Sequence, residues 1–525
     1  MGGANWLAPL AGHRLVRRAA DAVSLRIAHN RVTTLDRMDA GQVQHETLLR
    51  FVRHAQSTRF GRDHDFSHIT SVQDFQARVP VRDYEYFWTT YWKDAYPNFA
   101  DVTWPGFVPY YALSSGTTSG TTKYIPVTRE MLASNKKAAF TTIAFHRHHR
   151  PADRLFTGKF FFLGGSTDLR SQPDGSLAGD LSGIAARELP GALQAYTFPS
   201  LELSLLADWE QKVQQFAEQG LRESITALSG IPSWMLILFD RLKSLTGKDR
   251  IADIWPDLRL IIHGGTKFDP YRELFKREVG SDRVSFCEVY PCSEGFVATE
   301  DPRHQLLRIV PDHDIFFEFV PVEDLGKSHP TRHTLADVEV GVQYAIVVTS
   351  CAGLWAYLIG DTVCFERRDP PLIRFTGRTK FFLSAFGEHL IQEEVDGAVA
   401  HACQVCGVDS VDHHVGPVFP ADPARPGHHL YLVEFRESPP SAMERFEVEL
   451  DAELSRRNED YAAHRVNDMS MLRPRVRAVK PGSFADWMKA RGKFGGQNKV
   501  PRMDNTGEMT RSMEAWFSEN GRFVK

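Results

Sequence analysis

The stretch Leu258-Arg259-Leu260-Ile261-Ile262-His263-Gly264-Gly265 joins a short apolar run directly to two glycines. Such a run indicates a buried strand that leads into a loop. The same pattern occurs at 159–165 and at 284–291, and helical periodicity lies between these runs at 204–224 and 233–245. Alternating strands and helices predict an α/β domain with a parallel or mixed sheet. In sheets of this kind, ligands bind at the loops that follow the strands.

The length and composition are those of a globular protein without a polybasic surface. The 525 residues predict about three domains or two larger ones. Lys and Arg total 62 against 66 Asp and Glu, which argues against nucleic acid or an anionic membrane as partner. Six cysteines are too few for a disulfide scaffold. Residues 1–20 show no secretory signal, so we expect a cytoplasmic protein.

The two ends of the chain and one uncharged stretch have patterns of their own. Residues from about 11 to 56 are predicted to be helical, with an apolar stripe that includes Val23 and Ile27. The uncharged stretch 340–360 is better explained by two buried strands than by a membrane span, because glycines and polar residues interrupt it. Residues 385–525 alternate strand and helix again, with one strand predicted at 411–415.

The strongest chemical motif is Ser114-Ser115-Gly116-Thr117-Thr118-Ser119-Gly120-Thr121-Thr122-Lys123. Glycines let backbone N–H groups approach an anion, hydroxyls add donors and the lysine adds charge, so the stretch suits a polyphosphate. It is not a Walker P-loop, because the lysine follows Gly120 by three residues. The alternative is a polar, flexible loop without a ligand.

This motif fits the pattern Ser-Ser-Gly-Thr-[Ser/Thr]-x-Gly-x-x-Lys, and with it the sequence resembles the Gretchen Hagen family of auxin-responsive acyl acid amido synthetases. It resembles the family's bacterial members in particular, within the adenylate-forming superfamily. Five further stretches, in the same order along the chain, carry the resemblance. They are Thr58-Arg59-Phe60-Gly61-Arg62, Val79-Pro80-Val81-Arg82-Asp83-Tyr84, Tyr290-Pro291-Cys292-Ser293-Glu294, Tyr357-Leu358-Ile359-Gly360-Asp361 and Gln497-Asn498-Lys499-Val500-Pro501-Arg502.

The resemblance implies a fold and a division into domains. The expected fold is the firefly-luciferase-like α/β fold, with a large N-terminal domain at 1–380 that binds nucleotide and acyl group. A small, mobile C-terminal α+β domain is expected at 381–525. We expect the active site to lie between the two domains and the small domain to rotate about 376–386 between the two half-reactions.

The resemblance also implies the chemistry. A carboxylate is a poor electrophile, so the acid first attacks ATP to give an acyl-adenylate and pyrophosphate, and an amine, expected to be an amino acid, then displaces AMP. The first step gathers negative charge and calls for Mg²⁺ and cationic donors. Glu294 is expected to bind Mg²⁺, and Lys123 and Lys499 are the expected catalytic cations.

The remaining site residues are assigned to the nucleotide by the same resemblance. Asp361 is expected to accept hydrogen bonds from the ribose and Arg378 to contact ribose or phosphate. The adenine is expected beside Tyr290 and 264–266, and the phosphates at 114–123. The predicted nucleotide-binding set is Ser114, Ser115, Gly116, Thr117, Thr118, Gly120, Gly264, Gly265, Thr266, Tyr290, Asp361 and Arg378.

Two alternative functions stay open at the level of sequence. One keeps the adenylation but transfers the acyl group to CoA or a carrier thiol, and the other is a nucleotide-binding protein without catalysis. Leu358, Cys292 and Asn498 depart from the family motifs and put substrate contacts in doubt. The acyl acid, the acceptor and the oligomeric state are not determined by the sequence.

Cysteines and aromatic residues outside these motifs favour structural roles. Cys403 and Cys406, with His401 nearby, have metal-ligand spacing, but a single Cys-x-x-Cys without a second pair is a weak zinc signal. We expect these cysteines to pack at a helix end. The aromatic cluster Tyr84–Trp92 is predicted to be core rather than a ligand cage.

Overall fold

The computed structural model divides the chain into two compact units. The first consists of Met1–Thr266 and Glu278–Arg374, and the second of Lys267–Arg277 and Phe375–Lys525. The predicted domains 1–380 and 381–525 stay a prediction, since compactness alone does not define a functional domain. The structure describes residues 14–115, 122–164, 169–204, 206, 209–265, 268, 271–379, 382–383, 385–386, 388, 390–420, 426–458, 461–462, 465, 471–492 and 499–524.

Besides short 3-10 and π-helical turns, the first unit contains twelve α-helices within the described residues. They are α1 (Arg14–Asp36), α2 (Ala40–Ala55), α3 (Arg59–Asp63), α4 (Val72–Arg78), α5 (Tyr84–Phe87), α6 (Arg129–His149), α7 (Leu181–Arg187), α8 (Gly191–Gln194), α9 (Leu201–Ser204), α10 (Trp209–Gly220), α11 (Pro232–Thr246) and α12 (Ile251–Ile254). Helix α13 (Arg272–Val279) begins in the second unit. The other helices of the second unit are α14 (Gln392–Cys406), α15 (Met443–Arg457), α16 (Ser483–Ala490) and α17 (Glu508–Glu519).

The strands of the first unit are β1 (Tyr110–Ser115), β2 (Thr122–Val127), β3 (Lys159–Leu163), β4 (Arg170–Ser171), β5 (Leu177–Gly179), β6 (Thr197–Phe198), β7 (Ile225–Gly230), β8 (Leu260–Gly264), β9 (Ser285–Cys292), β10 (Gly295–Asp301), β11 (Leu306–Ile309), β12 (Ile315–Pro321), β13 (Gln343–Ser350), β14 (Leu354–Arg367) and β15 (Leu372–Arg378). They alternate with these helices from β2 to β9, as the sequence predicts, whereas β9 to β15 follow one another without an intervening α-helix. The last of them crosses into the second unit.

A large mixed sheet forms the centre of the first unit. Within the described residues it has eleven strands in the order β12-β13-β14-β15-β11-β10-β9-β8-β7-β3-β6. Strands β6, β3, β7, β8 and β9 are parallel. The pairs β9–β10, β10–β11, β11–β15, β12–β13 and β13–β14 are antiparallel. A smaller sheet has the order β2-β1-β5-β4. The carboxyl ends of β8 and β9 are therefore neighbours, where an α/β sheet binds its ligands.

The boundaries of several elements differ from the predictions for local physical reasons. The predicted helical run 11–56 is two helices, because the side chain of Asp39 caps α2 by accepting from the Gln42 N–H. Val23 and Ile27 are exposed, and α1 instead buries Val32 against the core. The uncharged stretch 340–360 forms the predicted pair of buried strands, β13 and β14. No helix in the described ranges has the length and apolar character needed to cross a bilayer.

The second unit is a small α+β structure, as predicted. Its strands are β16 (Phe382–Leu383), β17 (Leu390–Ile391), β18 (Ser410–Val418), β19 (His428–Phe435) and β20 (Arg475–Val479). The central strand β19 buries both faces, because alternate side chains enter different cores. Tyr431 and Val433 pack with α14 and α15, and Leu430 and Leu432 pack with α16 and α17.

Candidate active site

The predicted phosphate loop is carried by the β1–β2 hairpin. Tyr111 and Ile125 anchor the hairpin in the core. Ser114 lies directly opposite Lys123 in the ladder, and the backbone of Ser115 pairs with that of Thr122. Both ends of the loop are therefore fixed by strand pairing. The loop residues Gly116, Thr117, Thr118 and Gly120 lie outside the described residues.

Asp361 lies at an irregularity of strand β14. Pairing with β13 skips from Leu358 to Thr362, so extra residues of β14 bulge out of the ladder. Gly360 permits this bulge with a φ of +93°, a region that favours glycine. Bulges re-aim side chains near functional sites. Here the Asp361 carboxylate is buried and its Oδ2 accepts a 2.7 Å hydrogen bond from the Tyr290 hydroxyl.

Glu294 lies in the tight turn between β9 and β10. Cys292 pairs with Gly295, so Ser293 and Glu294 alone form the turn. Gly295 has a φ of +152°, which other residues rarely adopt, and a Cβ there would lie 2.6 Å from Cδ1 of Ile315, so that a larger residue would also displace this side chain. Glu294 is only 7% exposed, and its Oε1 accepts a 3.3 Å hydrogen bond from the hydroxyl of Tyr357 on β14.

Both site carboxylates thus receive hydrogen bonds from neutral donors. Burial, reinforced by the negative charge of Glu294, raises the pKa of Tyr357 well above its ordinary value, so this hydroxyl stays protonated. Burial also raises the pKa of the Cys292 thiol, and Glu294 and Asp361 raise it further. Cys292 is therefore a neutral thiol beside two carboxylates, which argues against a nucleophilic role.

The ends of β8 and β9 approach each other closely beside Tyr290. Gly264 pairs with Val289, the residue before Tyr290. A Cβ on Gly264 would lie 2.5 Å from the Val289 carbonyl oxygen, so the two strands approach this closely only with glycine. Gly265 follows with a φ of +84°. The predicted site residue Thr266 lies outside the described residues.

Two predicted site residues, Arg378 and Lys499, belong to the second unit. Arg378 ends β15 and is half-buried, and Lys499 is exposed. The segment that follows Lys499 is tied to β18, since the Val415 N–H donates to the Arg502 carbonyl at 2.9 Å.

A buried histidine strengthens this attachment. Burial lowers the pKa of His414 to about 4, so its ring is neutral. A neutral ring with Nδ1 protonated donates to the Pro501 carbonyl at 2.6 Å and accepts at Nε2 from the Thr510 hydroxyl at 2.9 Å. The backbone two residues after Lys499 is therefore fixed while the lysine side chain reaches solvent.

Tyr357 and Tyr84 are site residues to which the sequence reasoning assigned no role. Tyr357 holds Glu294, and Tyr84 contacts Lys123 through its ring, as described below. For Tyr357 the signal in the sequence is its place at the start of the Tyr357–Asp361 motif. The alternation of faces along the strand gives no further signal, because β14 bulges between Leu358 and Thr362.

The fold matches those of adenylate-forming enzymes. A GH3.15 acyl acid amido synthetase in complex with 2,4-DB aligns with a TM-score of 0.78 at 20% identity, covering 94% of this chain and 96% of that one. A 2-hydroxyisobutyryl-CoA ligase in the postadenylation state, in complex with 2-HIB-AMP, aligns with a TM-score of 0.59 at 16% identity, covering 91% of each chain. At these identities the alignments establish the fold.

Sequence models identify the family. The model of the GH3 family N-terminal domain matches 33–188 and 170–284, that of the central domain matches 308–378 and that of the C-terminal domain matches 393–508. These matches span most of the chain, so the protein belongs to the GH3 family, which confirms the resemblance seen in its motifs.

Two curated relatives from plants show the similarity in sequence. An indole-3-acetic acid-amido synthetase, GH3.3 of Arabidopsis thaliana, is 27% identical over 55% of this chain and 51% of its own length. The jasmonoyl–L-amino acid synthetase JAR4 of Nicotiana attenuata is 23% identical over 75% of this chain and 79% of its own. The chain thus spans about half the length of the Arabidopsis relative.

Proposed function

We propose that the protein is an ATP-dependent ligase that activates a carboxylic acid and transfers its acyl group to an amine, with an amino acid as the acceptor. The observation that carries this proposal is the pair of buried carboxylates, Asp361 and Glu294, each held by a neutral tyrosine hydroxyl. The names of the family relatives, an indole-3-acetic acid-amido synthetase and a jasmonoyl–L-amino acid synthetase, support it.

The reaction has two balanced steps. An oxygen of the acid bonds to the α-phosphorus of ATP as the bond to pyrophosphate breaks. The amine nitrogen then attacks the acyl carbon, AMP leaves with that oxygen, and a proton is released. Asp361 has lone pairs beyond the one that Tyr290 occupies and would accept from the ribose hydroxyls. The ring of Tyr290 and the backbone of Gly264 and Gly265 would flank the adenine.

The donor set around Glu294 fits Mg²⁺. This ion prefers oxygen ligands and usually takes one or two carboxylates, with phosphates and water completing its shell. Glu294 is a buried carboxylate with a neutral partner, and groups of three or more potential ligands are absent from the described residues. We therefore expect the protein to contribute a single carboxylate to the ligands of the ion. The bound ion would offset the charge of the polyphosphate.

Cationic and polar groups would complete the phosphate site. Ser114 and Lys123 begin and end the loop on the β1–β2 hairpin. Lys499 and Arg378 on the second unit would add positive charge in the adenylation transition state. Preorganised donors of this kind are each worth about 10²–10³ in rate.

The test is acid-dependent exchange of labelled pyrophosphate into ATP over a panel of aromatic and aliphatic acids. We expect exchange with some acids and a loss of about 10²–10³ in Lys499→Ala, because one cationic donor to the transition state is removed. Lys489→Ala is the matched control, since Lys489 is also an exposed lysine of the second unit. Equal exchange in both variants would remove Lys499 from the mechanism.

The acceptor is then identified by adding candidate acceptors to the reaction. Stimulated release of AMP by amino acids supports amide synthesis, whereas stimulation by CoA supports a thioester ligase. ATP binding without exchange for any acid would favour a nucleotide-binding protein. The bacterial branch, rotation of the small domain and a cytoplasmic location stay proposals. The six cysteines, all free, agree with a reducing compartment.

A further inference from the structure

The lysine of the predicted phosphate site lies over an aromatic ring. The Nζ of Lys123 is 5.3 Å from the ring centroid of Tyr84. Within the part of the chain that the structure describes, no carboxylate comes within ion-pair distance of this ammonium. An aromatic face attracts a cation through its quadrupole, which does not neutralise the charge. Lys123 is therefore oriented while its full charge is kept for an anion.

The ring of Tyr84 is itself fixed. It is 4% exposed, and Trp88 stacks on it at 5.9 Å with an interplanar angle of 14°. Its hydroxyl oxygen accepts a 3.0 Å hydrogen bond from the backbone N–H of Tyr124, the neighbour of Lys123 on β2. Burial raises the pKa of Tyr84, so the group under Lys123 is a neutral ring. One side chain thus holds both the backbone and the ammonium of the hairpin.

The segment that carries Tyr84 is also bonded to strand β14. The Arg82 N–H donates to the Ala356 carbonyl at 3.1 Å, and the Leu358 N–H donates to the Arg82 carbonyl at 2.8 Å. These two bonds lie on either side of Tyr357, whose hydroxyl holds Glu294. The stretch 79–84, which the sequence analysis singled out without a role, therefore contacts both the phosphate hairpin and the strand behind the metal-site carboxylate.

We propose that Tyr84 is a positioning residue. It orients the Lys123 ammonium for binding a polyphosphate and fixes the position of this ammonium relative to Glu294. The inference rests on the proposed function. A carboxylate in place of the ring would also orient Lys123, but it would neutralise the positive charge of the ammonium. The ring leaves the three N–H donors of the ammonium for phosphate oxygens.

The first experiment measures the Kd of ATP with Mg²⁺ by calorimetry in the full-length protein. Tyr84→Phe keeps the ring and loses the hydroxyl acceptor, whereas Tyr84→Leu loses both. We expect a change of less than about twofold for the first and an increase of about 5- to 30-fold for the second, the range of a cation–π contact. In pyrophosphate exchange, the KM for ATP should rise while the KM for the acid stays constant.

A double-mutant cycle tests whether the effect passes through Lys123. In a Lys123→Met background, Tyr84→Leu should weaken ATP binding no further, because the ring then has no cation to hold. Additive losses, or equal losses in the Phe and Leu variants, would overturn the proposal. If Tyr84→Leu does not fold, mono-, di- and trifluorophenylalanine at position 84 keep the ring's shape and weaken its quadrupole. The Kd should rise with each fluorine, and a constant Kd would overturn the proposal.

A measurement without nucleotide separates this inference from the proposed function. In protein labelled with ¹³Cε-lysine, the ring current of Tyr84 should shift the Lys123 resonance upfield, and Lys123→Met assigns it. The shift should persist in Tyr84→Phe and vanish in Tyr84→Leu, whereas an unchanged resonance would overturn the contact. If wild-type protein binds no ATP, the proposed function fails, and with it the phosphate role of Tyr84, while this spectrum still decides the contact.

Discussion

Two regions of the molecule hold buried carboxylates in opposite ways. In the first unit, Asp361 and Glu294 accept hydrogen bonds from tyrosine hydroxyls. In the core of the second unit, Glu388 is paired with His429 at 2.7 Å, and neither side chain is exposed. Depth of burial is similar in the two regions, so it does not separate them. The kind of partner does, since the partners are phenol hydroxyls in the first unit and an imidazole, which can carry a positive charge, in the second.

We expect this difference to separate Asp361 and Glu294, which are proposed to bind a ligand, from Glu388, which lies in the core of the second unit. A cationic partner offsets the charge of a buried carboxylate, and removing one partner leaves the other uncompensated. A neutral donor orients the carboxylate and leaves its charge for a metal ion or a hydroxyl group. Lys123 shows the same arrangement for a positive charge. The neutral ring of Tyr84 contacts its ammonium and leaves the charge available for an anion.

The largest expected effect is on catalysis by Glu294→Gln. We expect pyrophosphate exchange to fall by about 10²–10³, because the amide keeps the hydrogen bond from Tyr357 but has no charge for Mg²⁺. The melting temperature should change by less than about 2 °C, because no ion pair is broken. Exchange kinetics and thermal unfolding on the same preparation check both.

Unfolding of the first unit by Glu294→Gln would contradict the contrast drawn between Glu294 and Glu388. Strong destabilisation with full exchange per folded molecule would make Glu294 a structural carboxylate. Addition of excess Mg²⁺ is a further control, since it should not restore exchange to a site that has lost its only predicted protein ligand.

Glu388→Gln should show the opposite pattern. We expect a loss of about 3 kcal/mol in the free energy of unfolding, because His429 loses its carboxylate partner in a site without solvent. Exchange per folded molecule should stay unchanged. Urea unfolding followed by tryptophan fluorescence measures the loss, and a stable variant would show that the pair is dispensable.

The same pair predicts a pH dependence with a definite sign. Burial would raise the pKa of Glu388, but the hydrogen bond and charge of His429 outweigh it and leave the pKa below its ordinary value of 4.5. The stabilisation is therefore present above pH 4.5 and is lost as the pH falls through the lowered pKa. The stability difference between wild type and Glu388→Gln should shrink over that acidic range. A constant difference would contradict the assignment.

The smallest effect is expected at Arg277, which forms an ion pair with Asp409 within the second unit. The arginine side chain is 58% exposed, so solvent screens the pair. Arg277→Ala should cost no more than about 1 kcal/mol in urea unfolding. A larger loss would show that an exposed charge pair can stabilise the unit as a buried one does, which the comparison does not allow.

Much of the fold follows from local pattern. Lys159–Leu163 is a strand with the predicted bounds, and the uncharged stretch 340–360 folds back as the predicted pair of strands. The exposure of Val23 was not predictable, because a helical stripe does not show which neighbour will cover it. The resemblance to known motifs supplied Asp361 and Glu294 as candidates.

The partners of those candidates could not be read from the sequence. Tyr357 holds Glu294 across 63 residues, and Tyr84 supports Lys123 from a different element. The first contact depends on the course of β14 and the second on the register of the β1–β2 hairpin, and both are set only when the sheets assemble. Motifs therefore indicated which charges matter, and only the packing shows what orients them.

The hydrogen bond between Arg502 and Tyr271 ties together residues 231 positions apart. Tyr271 also donates to the Val411 carbonyl, so 267–277 completes the second unit although it is made before most of that unit exists. At about 5–20 residues per second, a ribosome needs roughly 10–50 seconds to supply Arg502 after Tyr271. During synthesis, the Tyr271 ring is therefore made 140 residues before Val411 and 231 residues before Arg502, so its full set of partners is complete only near the end of translation.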